Sequence, residues 1–150
     1  MSVGTAGPES LSVATNENVF YEREYPMGAS DKKIREAVDA YVRLVASGTA
    51  DEIVALYAEG ATVEDPVGSA VLTERADIHG FYAGLEGLDA ETNLLSAKIA
   101  GGQAAFLFEI VTRAGDQTYT VTPIDVMTFD DDGLITSMRA YWGESDLVVR

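Results

Sequence analysis

The chain contains no cysteine, which excludes disulfide frameworks, thiolate metal sites and cysteine nucleophiles. It has one histidine, His79, with no evident serine or aspartate partner in sequence. Such a residue reads as solvated or as support for another group. Basic side chains are scarce: 10 Lys and Arg stand against 25 Asp and Glu, a formal net charge of −15. That surface repels phosphate backbones and anionic lipid heads, so no nucleic-acid partner and no membrane surface are expected, and uncharged or cationic ligands are favoured. No apolar run approaches the length of a bilayer span, so no membrane insertion is expected. Residues 1–30 lack the basic stretch followed by an apolar one that marks a secretory leader. A reduced, cytoplasmic protein is the resulting expectation. Glycine-rich phosphate loops and metal-ligand spacings are missing as well. The run Asp130-Asp131-Asp132-Gly133 lacks the spaced acids and distal glutamate of a calcium loop and reads as a charged turn. No nucleotide, no metal and no other cofactor is expected.

What is present suffices for one domain: 150 residues, 47% of them hydrophobic, can bury one substantial core. Residues 1–30 are rich in Gly, Ser, Thr, Pro and Asn without a sustained apolar period. They read as an extension, either a disordered tail or one with a segment over 19–25 that docks on the body. Residues 31–150 form the domain proper. Ile34, Val38, Tyr41 and Val45 recur at helical spacing and predict a first helix, capped by Ser30 or Asp31 and ended at Gly48. A second helix is predicted over 51–58, with Ile53, Leu56 and Tyr57 inward and Gly60 as its stop. A short strand over 61–65 closes at Pro66 and Gly68. A third helix, capped by Thr73, carries Ile78, Phe81, Tyr82 and Leu85 on its inner face. Four strands follow, over 92–100, 103–113, 117–129 and 134–143, with glycine-bearing turns between most of them. Helices first and an antiparallel meander afterwards predict an α+β fold, a curved sheet wrapping three helices.

Chemistry-bearing residues stand out against this frame. Alternation along 120–129 places Val121, Pro123, Asp125, Met127 and Phe129 on one face. Asp125 is thus an acid in an apolar row. A buried, unpaired carboxylate is costly, so its pKa should rise; a neutral carboxylic acid is a hydrogen-bond donor, which a carboxylate is not. The alternative, that Asp125 faces a turn or pairs with Arg139, is open on alternation alone. Leu134, Thr136, Met138, Ala140 and Trp142 share the next strand's face, either as plain core or as one wall of a flat apolar cavity. Tyr41, Tyr57 and Tyr82 lie on three inner faces. They are separate core residues or a chain of phenols that lets one donate outward. In Glu64-Asp65-Pro66, alternation turns one acid inward and one outward, and proline holds Asp65 extended.

Four segments together resemble the bacterial ketosteroid isomerases, within the cone-shaped superfamily of nuclear-transport-factor-like proteins and polyketide cyclases. They are Tyr41-Val42, Ile53-Val54-Ala55-Leu56-Tyr57-Ala58, Ala61 through Ser69, and Thr122-Pro123-Ile124-Asp125. Phe81-Tyr82 and Met138 through Glu144 also match, so the likeness covers roughly 31–146. The resemblance implies isomerisation of a 3-oxo-Δ5-steroid to its Δ4 isomer, with Asp65 as the base that carries a proton from C4 to C6. It implies Tyr41 and protonated Asp125 as the oxyanion hole, Tyr57 and Tyr82 as the phenols behind Tyr41, and Phe81, Met138 and Trp142 as apolar lining. It implies a Δ5-3-ketosteroid partner and a homodimer paired through the open sheet face bearing Ile124, Val126 and Tyr141. The alternatives are a polyketide cyclase or dehydratase on the same fold, or a non-catalytic binder of flat hydrophobic molecules.

Overall fold

A computed structural model describes residues 28–150 in full and, before them, the backbone of two strands, β1 (Ser10–Ala14) and β2 (Phe20–Glu24), which pair antiparallel. The expected docking segment, 19–25, is met only as β2. Whether the extension packs on the body lies outside the described residues.

Helix α1, Asp31–Ser47, starts where the Ser30 side chain accepts the Lys33 N–H and ends at Gly48, whose N–H reaches the Leu44 carbonyl. Its stripe of Ile34, Val38, Tyr41, Val42 and Val45 is buried, the face that the 3.6-residue period requires. Helix α2, Ala50–Val54, opens on a reciprocal cap between Thr49 and Glu52. It is shorter than its sequence suggests. Tyr57 is not on this helix but begins strand β3, Tyr57–Glu64, because the backbone beside it pairs with a distant strand: the Ile135 N–H donates to the Leu56 carbonyl at 2.8 Å. Helix α3, Arg75–Ala83, has Glu74 at its N-cap without a side-chain bond, so Thr73 is not the cap.

Six further strands follow: β4 (Asp89–Ala100), β5 (Gln103–Ala114), β6 (Gln117–Val121), β7 (Ile124–Phe129), β8 (Ile135–Tyr141) and β9 (Leu147–Val149). The single strand expected over 117–129 is two. Pro123 cannot donate to a ladder, and the chain changes partners there: β6 pairs with the outer half of β5, and β7 with its inner half. With β3 they form one sheet in the order β3-β8-β7-β5-β6-β9, and β4 pairs with the other edge of β5. The sheet is curved and unclosed. All its pairings are antiparallel except β3 with β8, which is parallel.

The core lies between the helices and the inner face of this sheet, where Ile34, Val38, Phe106, Phe108, Met127 and Met138 are 2% exposed or less. A register irregularity sets Thr128 opposite Ser137 but Phe129 opposite Ile135. The extra residue, Thr136, breaks simple alternation, so the inward row is Ile135, Met138 and Ala140, not one that includes Leu134 and Thr136.

Candidate active site

One apolar pocket of about 270 Å³ opens between α1, α3 and the inner sheet face, and both Asp65 and Asp125 line it. Tyr41, Phe81, Tyr82 and Trp142 line it as well, with Phe108 and Ile110 among the apolar residues around them. Each polar group arrives from a different element. Asp125 is the second residue of β7, opposite Phe106 of β5 and Ala140 of β8. It is 1% exposed, and its Oδ1 has no hydrogen-bond partner among the described residues. Burial pushes its carboxyl well above the usual carboxylate range, and the charge of Asp65 pushes the same way. Both effects favour its protonated form. Arg139 is not its partner: that guanidinium points from the other face of β8 to Glu64, with Nε 2.9 Å from Oε1.

Asp65 follows the last residue of β3. The indole N–H of Trp142 donates to its Oδ1 at 2.7 Å. Partial burial raises this carboxyl above its ordinary value, and the indole bond pulls it back. The two acids therefore meet unlike surroundings: Asp65 has an indole donor, and Asp125 has an oxygen that none of the described residues reaches. Trp142 was expected as apolar wall. Its donation to Asp65 was missed because the two residues are 77 positions apart and only the β3–β8 pairing brings their strand ends together.

The tyrosines form a chain. The Tyr82 hydroxyl lies 3.0 Å from that of Tyr41 and 2.5 Å from that of Tyr57. All three are buried, and desolvation lifts each phenol well above its ordinary pKa, keeping it protonated. Phe106 and Phe108 meet the Tyr41 ring edge-on at 6.2 and 6.4 Å, which fixes its rotamer by packing. The Arg75 guanidinium donates to the carbonyls of Val54 and Tyr57, closing the end of α2 and holding the start of β3. His79 stands apart, with Nε2 2.8 Å from Asp51 Oδ1 on the surface.

Residues 38–138 match the SnoaL-like domain family. The chain belongs to that family. Among relatives, a steroid Delta-isomerase of Nocardioides simplex is 51% identical over 117 residues, which span 78% of this chain and 95% of that protein. Among solved structures, SalBIII, an epoxide hydrolase/cyclase-like enzyme in pyran ring formation of the polyether salinomycin, superposes with a TM-score of 0.74 at 28% identity. It covers 81% of this chain and 98% of its own. RV0760c of Mycobacterium tuberculosis gives a TM-score of 0.73 at 17% identity, covering 81% and 99%, and attests the fold alone.

In this SnoaL-like chain the structure gathers Tyr41, Asp65, Phe81, Tyr82, Asp125 and Trp142 at one pocket. Tyr57 stands behind Tyr82, one hydroxyl removed. Met138 is not at the pocket wall. It is fully buried in the core, in register with Met127 of β7 and Val63 of β3 on either side.

Proposed function

We propose that the protein is a steroid Δ-isomerase that converts 3-oxo-Δ5-steroids to their Δ4 isomers. The observation carrying this reading is that one apolar pocket holds two carboxyls, Asp65 anchored by an indole donor and Asp125 buried with a partnerless oxygen. The half-identical relative named a steroid Delta-isomerase supports the reaction class.

A proton on C4 lies between the C3 carbonyl and the Δ5 double bond. Asp65, as carboxylate, takes that proton, and the C–H electron pair moves into a dienolate with its charge on the C3 oxygen. Tyr41 and protonated Asp125 donate hydrogen bonds to that oxygen. Asp65 then returns the same proton to C6, the double bond settles between C4 and C5, and every group is restored. A ketone α-proton is far less acidic than a carboxyl group, so the base succeeds only if the enolate is stabilised by donors fixed in advance. Tyr57 donating to Tyr82, and Tyr82 to Tyr41, leaves the Tyr41 proton free for the steroid. A carboxylic acid held neutral at pH 7 is a known device of ketosteroid isomerases. Phe81, Leu85, Ile110 and Trp142 offer the steroid body an apolar bed, and Trp142 also orients the base.

In this reading residues 31–150 are the catalytic domain and 1–30 an extension, and the enzyme works in the cytoplasm as a homodimer without metal or cofactor. The outer sheet face supports the dimer, since Ile124 and Tyr141 are 46% and 42% exposed there.

The test is direct. Mixed with a Δ5-3-ketosteroid, the protein should generate conjugated-enone ultraviolet absorbance, and Asp65→Asn should lose roughly 10²–10⁴ of that rate. A wild-type rate no greater than buffer would refute the activity. Full turnover by Asp65→Asn would refute the base.

A further inference from the structure

Glu64 immediately precedes Asp65 and faces the opposite side of the sheet. Its side chain is 16% exposed, unusually covered for a glutamate on an outer face. Both of its oxygens are engaged. Oε1 accepts from Arg139 Nε at 2.9 Å, and Oε2 accepts the Gly68 N–H at 3.3 Å. Glu64 and Arg139 are register partners in the parallel β3–β8 pair, and the Arg139 guanidinium lies 5.5 Å from the centroid of the Tyr141 ring. The carboxylate thus spans the turn that contains Asp65, from the strand before it to Gly68 after it. Two backbone bonds fasten the same turn: Val67 N–H to the Ala140 carbonyl at 2.8 Å, and Ser69 N–H to the Pro66 carbonyl at 3.0 Å. Gly68 has φ +100°, a conformation that L side chains rarely adopt, so this closure depends on glycine.

We propose that Glu64 and Arg139 are positioning residues for Asp65: their ion pair on the outer face sets the turn that aims the free carboxylate oxygen into the pocket. The proposal rests on Asp65 being the base. Among the described residues Asp65 receives one hydrogen bond, at Oδ1 from Trp142. That bond fixes one oxygen, and the path of the turn decides where Oδ2 stands. Asp65 must reach C4 and then C6, so its tolerance for displacement is small; a shift of about 1 Å can cost ~10²-fold in rate. An ion pair whose arginine is half exposed, by contrast, contributes little to global stability. A positioning role and a merely structural one therefore predict different readouts.

Turnover of a Δ5-3-ketosteroid by Glu64→Ala, Arg139→Ala and the double variant tests this. Each single variant should lose about tenfold or more in kcat, with KM within about twofold and unchanged affinity for a phenolic steroid that mimics the dienolate. The double variant should be no slower than the singles, because the two residues act as one unit. Glu64→Gln, which can still accept from only one of the two donors, should fall between wild type and Glu64→Ala; it also serves if the alanine variant fails to fold. Wild-type kcat in the variants overturns the proposal. So does a loss that appears in KM or phenol affinity instead, or one that recovers as protein concentration is raised, which would mark an assembly effect. Asp65→Asn separates the layers. If it is inactive while Glu64→Ala is normal, only the positioning role fails; if it is active, the base assignment itself fails.

Discussion

Asp125 sits where a carboxylate is least welcome, buried beside Phe106 with an oxygen that no described donor reaches. Its folded pKa is raised, chiefly by desolvation, while an unfolded aspartate titrates near its ordinary value of about 3.9. Between those two values the native state keeps a proton that the unfolded chain releases. Stability therefore falls as pH rises through that window, and Asp65, raised by the same cause, adds in the same direction. Asp125→Asn keeps the shape and has no proton to lose. It should unfold later than wild type at pH 8, by roughly 1 kcal/mol or about 2–4 °C in Tm, and the advantage should vanish below about pH 4. Thermal melts followed by circular dichroism at both pH values check this. A gain of equal size at both would argue against a penalty from burying charge.

At the level of elements, α1, α3 and the start of β3 each deliver one phenol, and their order sets what each contributes. Tyr41 meets the pocket and Tyr57 stands two hydroxyls back. In the proposed mechanism Tyr41→Phe removes a donor from the developing oxyanion and should cost about 10²–10³ in kcat. Tyr57→Phe only weakens the polarisation of the chain and should cost roughly tenfold or less in the same steady-state assay. A Tyr57→Phe loss as large as that of Tyr41→Phe would mean that the chain is not graded. The stripe of α1 was legible because it needs nothing beyond a 3.6-residue period, and Asp125 was legible because a charge in an apolar row asks for an explanation. Tyr57 was misplaced because its strand is defined by pairing with residues near Ile135, a partner that local pattern cannot name. Met138 was given to the pocket by the family resemblance; alternation rightly turned it inward, but a strand's inward row does not say which residues line a pocket and which lie in the core.

For the molecule as a whole, the sheet has two faces with different fates. The inner face is covered by the helices. The outer one leaves Ile124 and Tyr141 nearly half exposed, and Leu147, Val148 and Val149 of the last strand are exposed nearby in sequence. Apolar exposure of this kind is what the proposed homodimer would cover, about a two-fold axis and against the repulsion of 15 excess negative charges on each chain. Ile124→Lys places two like charges across such an axis and should halve the mass found by light scattering at micromolar concentration. A wild-type chain that runs as a monomer would dismiss the dimer. Repulsion between two such acidic bodies is long-ranged, so added salt should tighten the pair.

The chain's only tryptophan is the residue whose indole touches the carboxylate of Asp65. Tryptophan emission therefore comes from the pocket itself, undiluted by other indoles. Proton uptake by that acid, or a ring system sliding in beside it, changes the emitter's immediate surroundings. The protein carries a native optical gauge of its own occupancy, readable without label or coupled assay.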